Sequence, residues 1–308
     1  MPTILVSCSG GKDSTATLLL SLEERIECRE PKAVFADTGN EHPIVYEYLD
    51  YLGHQTGVTI HRLKPDFTDW WWRKRDYTRD KWPLKGVPAD VVTRALAVFE
   101  KGPTGNPYLD LCIIKTRFPS RMAQFCTQYL KTEPLTEYAL ELIELHRNVE
   151  SWQGVRADES ASRAKLPERE DVGGGLTIYR PILKWSVEDV FAIHKRFGVK
   201  PNPLYSMGMG RVGCMPCINA AKDEVLEISK RFPEHIDRIA EWELIVGEVS
   251  KQSSATFFAS LGTNDDAYER GNVRKVVQWA ETARGGRQVD WIRLEPSEAC
   301  SSSYGLCE

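Results

Sequence analysis

The sequence predicts an α/β fold, a parallel sheet with helices on its faces, followed by a mainly helical C-terminal region. Three observations predict it. Short apolar runs, TILVSCS, KAVFADT and VTIHRLK, alternate with segments of helical length and period, DSTATLLLSLEE and EHPIVYEYLDYLGHQ, and that alternation is the pattern of strands joined by crossover helices. Gly10 and Gly11 stand where the first run meets the first helix, the place where Rossmann-like sheets bind their ligands. The last hundred residues read as helices and loops ending in CSSSYGLCE.

Each element follows in turn. TILVSCS is a strand, and the next helix has Asp13 or Ser14 near its first turn. KAVFADT is the second strand, followed by Gly39 and the second helix, and VTIHRLK is the third. Right-handed crossovers then leave little choice of topology. Between Asp66 and Asp110 the rhythm breaks into an aromatic, basic insertion, DFTDWWWRKRDYTRDKWPLKG, ending in the turn-rich KGPTGNPY. Helical patterning resumes from Pro119 to Val149 with a break at Pro134, and SWQGVRADES reads as a strand running into a loop. KWSVEDVFAIHKRFG is a helix with Ser186 as N-cap and Gly198 just past its end. We divide the chain into an α/β domain, 1–217, carrying the insertion at 66–110, and a helical region, 218–308, with the cysteine-containing tail.

With 42% hydrophobic and 27% charged residues and a net charge of −4, the composition is that of a soluble globular protein with no global pull towards nucleic acid. Any polyanion site must be a local patch. The N-terminus lacks a basic segment followed by a long apolar stretch, and no run approaches the ~20 apolar residues of a membrane span, so the expected location is cytoplasmic, with no membrane partner. Eight cysteines in a reducing compartment point to metal binding or redox chemistry rather than disulfides.

The turn SGGKDS, Ser9 to Ser14, leads into a helix N-terminus, whose free N–H groups and positive dipole end suit phosphate. Gly10 and Gly11 let the backbone approach an anion, Ser7, Ser9 and Ser14 add hydroxyls, and Lys12 adds a point charge. The five-residue spacing of a Walker A loop is absent. At the end of the second strand, FADTGNEHP places Asp37 to bind Mg²⁺ or a nucleotide hydroxyl, with Thr38 beside it. A helix N-cap is the structural alternative for Asp37.

SGGKDS resembles the PP-loop of the ATP pyrophosphatases, which split ATP between its α and β phosphates. Further along, VFADTGNEHPIVYEYLDYL and NPLYSMGMGRVGCMPC resemble segments of the phosphoadenylylsulfate (PAPS) reductase family, within the adenine nucleotide alpha hydrolase superfamily. GVRADESASRA resembles a stretch shared with the ATP sulfurylase small subunit and the sulfur-insertion enzymes of DNA phosphorothioation. The resemblance runs from Ile4 to Cys217. It implies adenine nucleotide contacts from Ser7, Ser9, Gly10, Gly11, Lys12, Asp13 and Ser14, and an Arg156, Glu159 and Arg163 loop that closes over phosphates. Two arginines flanking a glutamate present planar forks to oxyanions, with the glutamate fixing one of them.

Cys214 and Cys217 flank a tight turn, and two thiolates so spaced can grip zinc or an iron–sulfur cluster, or form a redox dithiol. The family resemblance implies a [4Fe–4S] cluster, with zinc as the alternative, and makes Cys126 of FCTQYLKTEPL a ligand where Thr127 replaces a second cysteine. Cys300 is then assigned as the fourth ligand and Cys307 as the free nucleophile or sulfur carrier, although the two could exchange roles. Cys8, Cys28 and Cys112 read as small packing residues. The tail YGLCE departs from the terminal motif of the sulfonucleotide reductases. Together with the intact SGGKDS, this moves the expectation towards an enzyme that consumes ATP, releases pyrophosphate and transfers sulfur, with Lys12, Asp13, Arg156 and Cys307 as its catalytic set. A true sulfonucleotide reductase served by a thioredoxin-like or sulfur-donor protein is the second reading, and a non-catalytic nucleotide- or nucleic-acid-binding module with structural zinc is the third.

From Trp70 to Trp82, four tryptophans and a tyrosine interleave with five basic and two acidic residues. Such a stretch can stack on bases and neutralise phosphates, which makes nucleic acid a candidate acceptor. The alternative is that the tryptophans pack the insertion onto the domain.

Overall fold

The computed structural model describes residues 2–23, 31–258 and 271–282. Strand β1 (Thr3–Ser7) is buried at four of its five positions, as expected of a central strand covered on both faces. Helix α1 (Lys12–Glu23) leads to β2 (Lys32–Ala36), and α2 (Pro43–Thr56) leads to β3 (Ile60–Leu63). All three expected strands and both helices are present.

The six-stranded sheet is completed by β4 (Val149–Trp152), β5 (Arg169–Gly173) and β6 (Leu176–Tyr179), in the order β3-β2-β1-β4-β6-β5. Every pairing is parallel except that of β5 with β6. Val6 pairs with Ala33 on one side and Trp152 on the other. The chain leaves β1 towards β2 and later returns on the opposite side as β4. The crevice between the carboxyl ends of β1 and β4 is therefore a topological switch point, where open α/β sheets bind ligands.

The insertion is helical. It forms α3 (Thr68–Lys81), α4 (Ala89–Phe99) and α5 (Pro107–Lys115). Residues 119–124 are not helical as expected; they turn back through a Ser120–Ala123 bridge. The short α6 (Phe125–Thr127) then runs through a π-helical turn, Gln128–Thr132, into α7 (Glu133–His146). Pro134 does not break this run, because in the first turn of α7 its missing N–H is no loss. The β5–β6 hairpin carries no signal in the expected pattern. Helix α8 (Val187–Arg196) has the expected Ser186 cap, which accepts from the Asp189 N–H at 3.2 Å. Gly198 follows it at φ +65°. The remainder comprises α9 (Lys222–Arg231), α10 (Pro233–Val249) and α11 (Val273–Ala280).

Alternate residues of β1 face opposite layers. Ile4 and Val6 join Trp71, Trp82, Tyr108, Ile239 and Trp242 in the largest core cluster, which unites the sheet with the insertion and with α10. Leu5 faces Ala139 and Leu142 of α7. A further cluster, with Ala16, Leu19, Leu52, Val190 and Ile193, packs α1, α2 and α8 together. Among the described residues no helix is long and apolar enough to cross a membrane.

Candidate active site

The turn between β1 and α1 is tightly specified. Gly10 has φ +74°, and a Cβ there would lie 3.2 Å from Val45 Cγ1, so only glycine adopts the turn without strain. The Ser9 N–H donates to Ser14 Oγ at 3.0 Å, and that hydroxyl donates to Gly11 O at 3.0 Å. Three distant residues brace the loop from outside. Asn202 Nδ2 donates to Gly10 O at 3.1 Å, the Lys12 N–H donates to Tyr205 Oη at 2.9 Å, and buried His194 presents Nε2 to Lys12 O at 3.0 Å. A carbonyl can only accept, so His194 is the donor there.

Lys12 is buried, with Nζ 3.1 Å from Asp13 Oδ2 and 5.6 Å from the centre of the Tyr205 ring. A cation in the first turn of a helix opposes the macrodipole, whereas Asp13 suits it. The arrangement favours a site meant to receive further negative charge.

The GVRADES segment leaves β4 directly over this turn. A Cβ on Gly154 would fall 2.8 Å from the Asp13 carbonyl, so the two backbones touch. Arg156, only 3% exposed, reaches Asp13 Oδ1 through Nε at 2.6 Å, and through Nη1 it meets Asp158 Oδ2 at 2.5 Å. Burial works against the charge, yet its carboxylate partners hold Arg156 above the ordinary arginine value. Glu159 accepts the Arg156 backbone N–H at 3.2 Å and binds the Arg163 guanidinium. Glu159 therefore fixes Arg163, while Asp13 fixes Arg156.

On the neighbouring strand end, Asp37 Oδ1 accepts from Tyr46 Oη at 2.7 Å and from the Gly39 N–H at 3.1 Å. Thr38 turns the other way. Its hydroxyl donates to buried Glu41 Oε1 at 2.7 Å and lies 3.5 Å from Cys214 Sγ. Ser7 ends β1 next to the turn.

The Cys214–Cys217 turn is pinned to the same loop. Cys214 bridges Glu41, the Met215 N–H donates to Asn40 O at 2.8 Å, and Asn40 Nδ2 donates to Pro216 O at 3.0 Å. Arg238 Nη2 donates to both Asn40 Oδ1, at 2.8 Å, and Met215 O, at 2.9 Å. Burial pushes the Cys214 thiol up to about 11, against the pull of Lys131. Lys131 is itself raised, chiefly by Cys214. Cys126 and Cys217 are electrostatic neighbours, and Arg211 faces Cys217 and Cys214. Cys126, Cys214 and Cys217 are thus electrostatically coupled to one another and to two cations, Lys131 and Arg211, while Cys300 and Cys307 lie outside the described residues.

Among the described residues, one set of ligand atoms lies within 4.8 Å of one another: His42, Glu234 and His235. Their hydrogen bonds argue against a metal. His42 Nδ1 accepts the Ile44 N–H at 3.1 Å, which leaves the proton of the neutral ring on Nε2. His235 Nδ1 faces Met215 O at 3.1 Å and, by burial above all, titrates at about 4. The stacked rings, 4.9 Å apart, serve to support the Met215 turn.

The sequence matches the phosphoadenosine phosphosulfate reductase domain over residues 3–83 and 106–220. The chain belongs to the PAPS reductase family. It is 45% identical over 328 residues to an uncharacterized 37.8 kDa protein of Escherichia phage 186, covering 99% of this chain and 96% of that protein. It is 38% identical over 104 residues to the adenosine 5'-phosphosulfate reductase of Allochromatium vinosum, covering 33% of this chain and 37% of the enzyme. The chain thus aligns with little over a third of that reductase. The PAPS reductase of Candida auris, solved as a phosphate complex, superposes with a TM-score of 0.43 at 17% identity over 70% of this chain and 83% of the other.

The match to the PAPS reductase domain skips residues 84–105, the connection and α4 within the insertion. Trp71 and Trp82 of the insertion are 0% and 1% exposed, so neither can stack on a base. Trp70 packs edge-on to Tyr129 at 5.0 Å, and Lys115 sits 4.3 Å over the Tyr129 ring. Sequence reasoning did not find His194, Asn202, Tyr205 or Glu41. The segment NPLY carried the first available signal for Asn202 and Tyr205.

Proposed function

We propose that the chain binds ATP with Mg²⁺ at the Ser9–Ser14 turn, releases pyrophosphate as an acceptor is adenylylated, and couples this to sulfur transfer. The acceptor nucleophile attacks the α-phosphorus, the bond to the α,β-bridging oxygen breaks, and pyrophosphate leaves with the electron pair. A sulfide-level nucleophile from a donor then displaces AMP from the acceptor. The observation that carries this reading is the placement of Lys12, buried in the first turn of α1 with Asp13 held by Arg156. Lys12 and the glycine N–H groups would stabilise charge on the departing pyrophosphate, a matter of positioning and electrostatics rather than proton transfer. Asp37, oriented by Tyr46 and Gly39, would meet the Mg²⁺, and Arg163, held by Glu159, would close over the phosphates.

Cys126, Cys214 and Cys217 would hold a [4Fe–4S] cluster, which supplies electrons or carries sulfide where sulfur is transferred. The donor set supports this. It is three thiols coupled to two cations, Lys131 and Arg211, which would offset the negative charge of a thiolate-bound centre. In this reading Cys307 carries the free thiol.

The partial identity with adenosine 5'-phosphosulfate reductases favours a second reading, reduction of a ready-made sulfonucleotide by a thioredoxin-like donor. One assay separates the two. Purified anaerobically and loaded with iron and sulfide, the protein should release pyrophosphate from ATP, with a loss of at least about 100-fold in Lys12→Ala. Sulfite from a sulfonucleotide, with no pyrophosphate from ATP under any acceptor tried, would install the second reading in place of the first.

A further inference from the structure

We propose that Cys112, on α5, supplies the fourth thiolate of the metal centre, in the role otherwise assigned to Cys300 of the tail. The proposal rests on the reading of the thiol pocket as a cluster site. Helix α5 and the Cys214–Cys217 turn dock on adjacent residues of one loop, Gly39 to Glu41. Asn106 caps α5, accepting from the Leu109 N–H at 3.0 Å, and its Nδ2 donates to Gly39 O at 2.7 Å. A Cβ on Gly39 would lie 2.9 Å from Pro107 Cδ, so the first turn of α5 presses directly on this loop. The next two loop residues, Asn40 and Glu41, hold Met215 and Cys214.

The second observation is a buried polar group without a partner. Tyr108, 2% exposed, stacks on Trp242 at 5.7 Å, and its hydroxyl makes no hydrogen bond. An unmet hydroxyl in a core is costly, on the order of 1–3 kcal/mol. Its electrostatic neighbours are four thiols: Cys112, Cys214, Cys126 and Cys217. Cys112 lies one helical turn beyond Tyr108 on the same face of α5 and is 1% exposed; its carbonyl accepts the Arg117 N–H at 3.1 Å, and that guanidinium lies 5.8 Å from the centre of the Phe125 ring, the residue before Cys126. Cys112 would bring Cys126, Cys214 and Cys217 to the four thiolates that a four-iron cluster takes, and cluster sulfurs accept hydrogen bonds of the kind Tyr108 offers. Cys112 is thus more than a small packing residue, and the Thr127 substitution is made good from α5.

The test compares iron and labile sulfide content, with absorption and electron paramagnetic resonance spectra, in anaerobically reconstituted proteins. The triple variant Cys28→Ser, Cys300→Ser, Cys307→Ser should keep the wild-type content of about four irons per chain. Cys112→Ser and Cys112→Ala should fall to three irons or fewer, with circular dichroism confirming the fold. Should both Cys112 variants misfold, adding Cys8→Ala to the triple variant decides, since Cys112 is then the one thiol left besides Cys126, Cys214 and Cys217: a four-iron cluster retained supports the proposal and its loss overturns it. Loss of the cluster in the triple variant, or a wild-type spectrum and iron content in Cys112→Ala, would overturn the proposal. Wild-type protein that takes up no iron overturns the cluster reading itself, an outcome visible before any variant is made.

Discussion

Asp13 Oδ1 and Arg156 Nε lie 2.6 Å apart although 143 residues separate them in the chain. Their contact joins the first turn of α1 to the loop after β4, across the crevice where the strand order reverses. Arg156 is buried, at 4% exposure, and Asp13 is partly so, at 14%, and Lys12 is bound to the other oxygen of Asp13. Removing one member of such a set leaves a charge stranded in the core. Arg156→Ala should therefore destabilise the fold by about 3 kcal/mol, read as a shift in the urea midpoint. Arg156→Lys, which keeps the charge but loses the planar fork, should recover part of that stability and little of the pyrophosphate release.

Tyr205 occupies the Lys12 N–H, one of the donors that an anion at a helix N-terminus would use. Tyr205→Phe leaves that buried N–H unmet, which should cost about 1–2 kcal/mol in the free protein. Inorganic pyrophosphate can meet it instead. Titrations followed by thermal shift should give a larger stabilisation of Tyr205→Phe than of wild type at saturating pyrophosphate. An equal shift in both would mean that the loop binds its anion without this N–H.

The parts of the fold that were legible share a physical cause. Strands β1 and β2 are buried on both faces, so they stand out as continuous apolar runs. The Ser9–Ser14 turn is legible because its own serines and glycines close it over a few residues. Strand β5 is exposed along its whole length, so Arg169–Gly173 carries no apolar alternation for a reader to find. His194 and Tyr205 reach the loop across more than 180 residues, and no local pattern encodes such a contact.

The insertion separates into residues that fold and residues that can bind. Trp71 is 0% exposed, donates from Nε1 to Phe99 O at 2.9 Å and packs edge-on to the Phe99 ring at 5.3 Å. Trp71→Ala should cost about 3–5 kcal/mol. If nucleic acid is the acceptor, contacts fall to Trp70, Trp72 and the cations around them, such as Arg75 at 4.8 Å over Trp72. Trp72→Ala should then weaken binding of a single-stranded oligonucleotide by about 1–3 kcal/mol while the thermal midpoint changes little. Absence of salt-dependent oligonucleotide binding in the wild type would remove nucleic acid from the list of acceptors.

Glu243 on α10 provides a pH signature independent of the active site. It is 1% exposed, and its carboxylate accepts the Phe257 N–H at 2.7 Å and the Val273 N–H at 3.0 Å, tying two separate segments to α10. Burial raises its pKa from 4.5 to about 7, and the two backbone donors only partly oppose this. Below pH 4.5 the folded and unfolded chains both hold this proton. Between 4.5 and about 7 the unfolded chain releases it and the folded chain keeps it, so folded stability falls as pH rises through that window. The full effect above pH 7 is roughly 3 kcal/mol. Glu243→Gln keeps an acceptor for the backbone donors and cannot ionise. The difference in unfolding free energy between Glu243→Gln and wild type should therefore move in favour of the variant as pH rises from 5 to 8. A difference that stays flat across that range would mean that Glu243 is ionised in the native state throughout, stabilised by its two N–H donors.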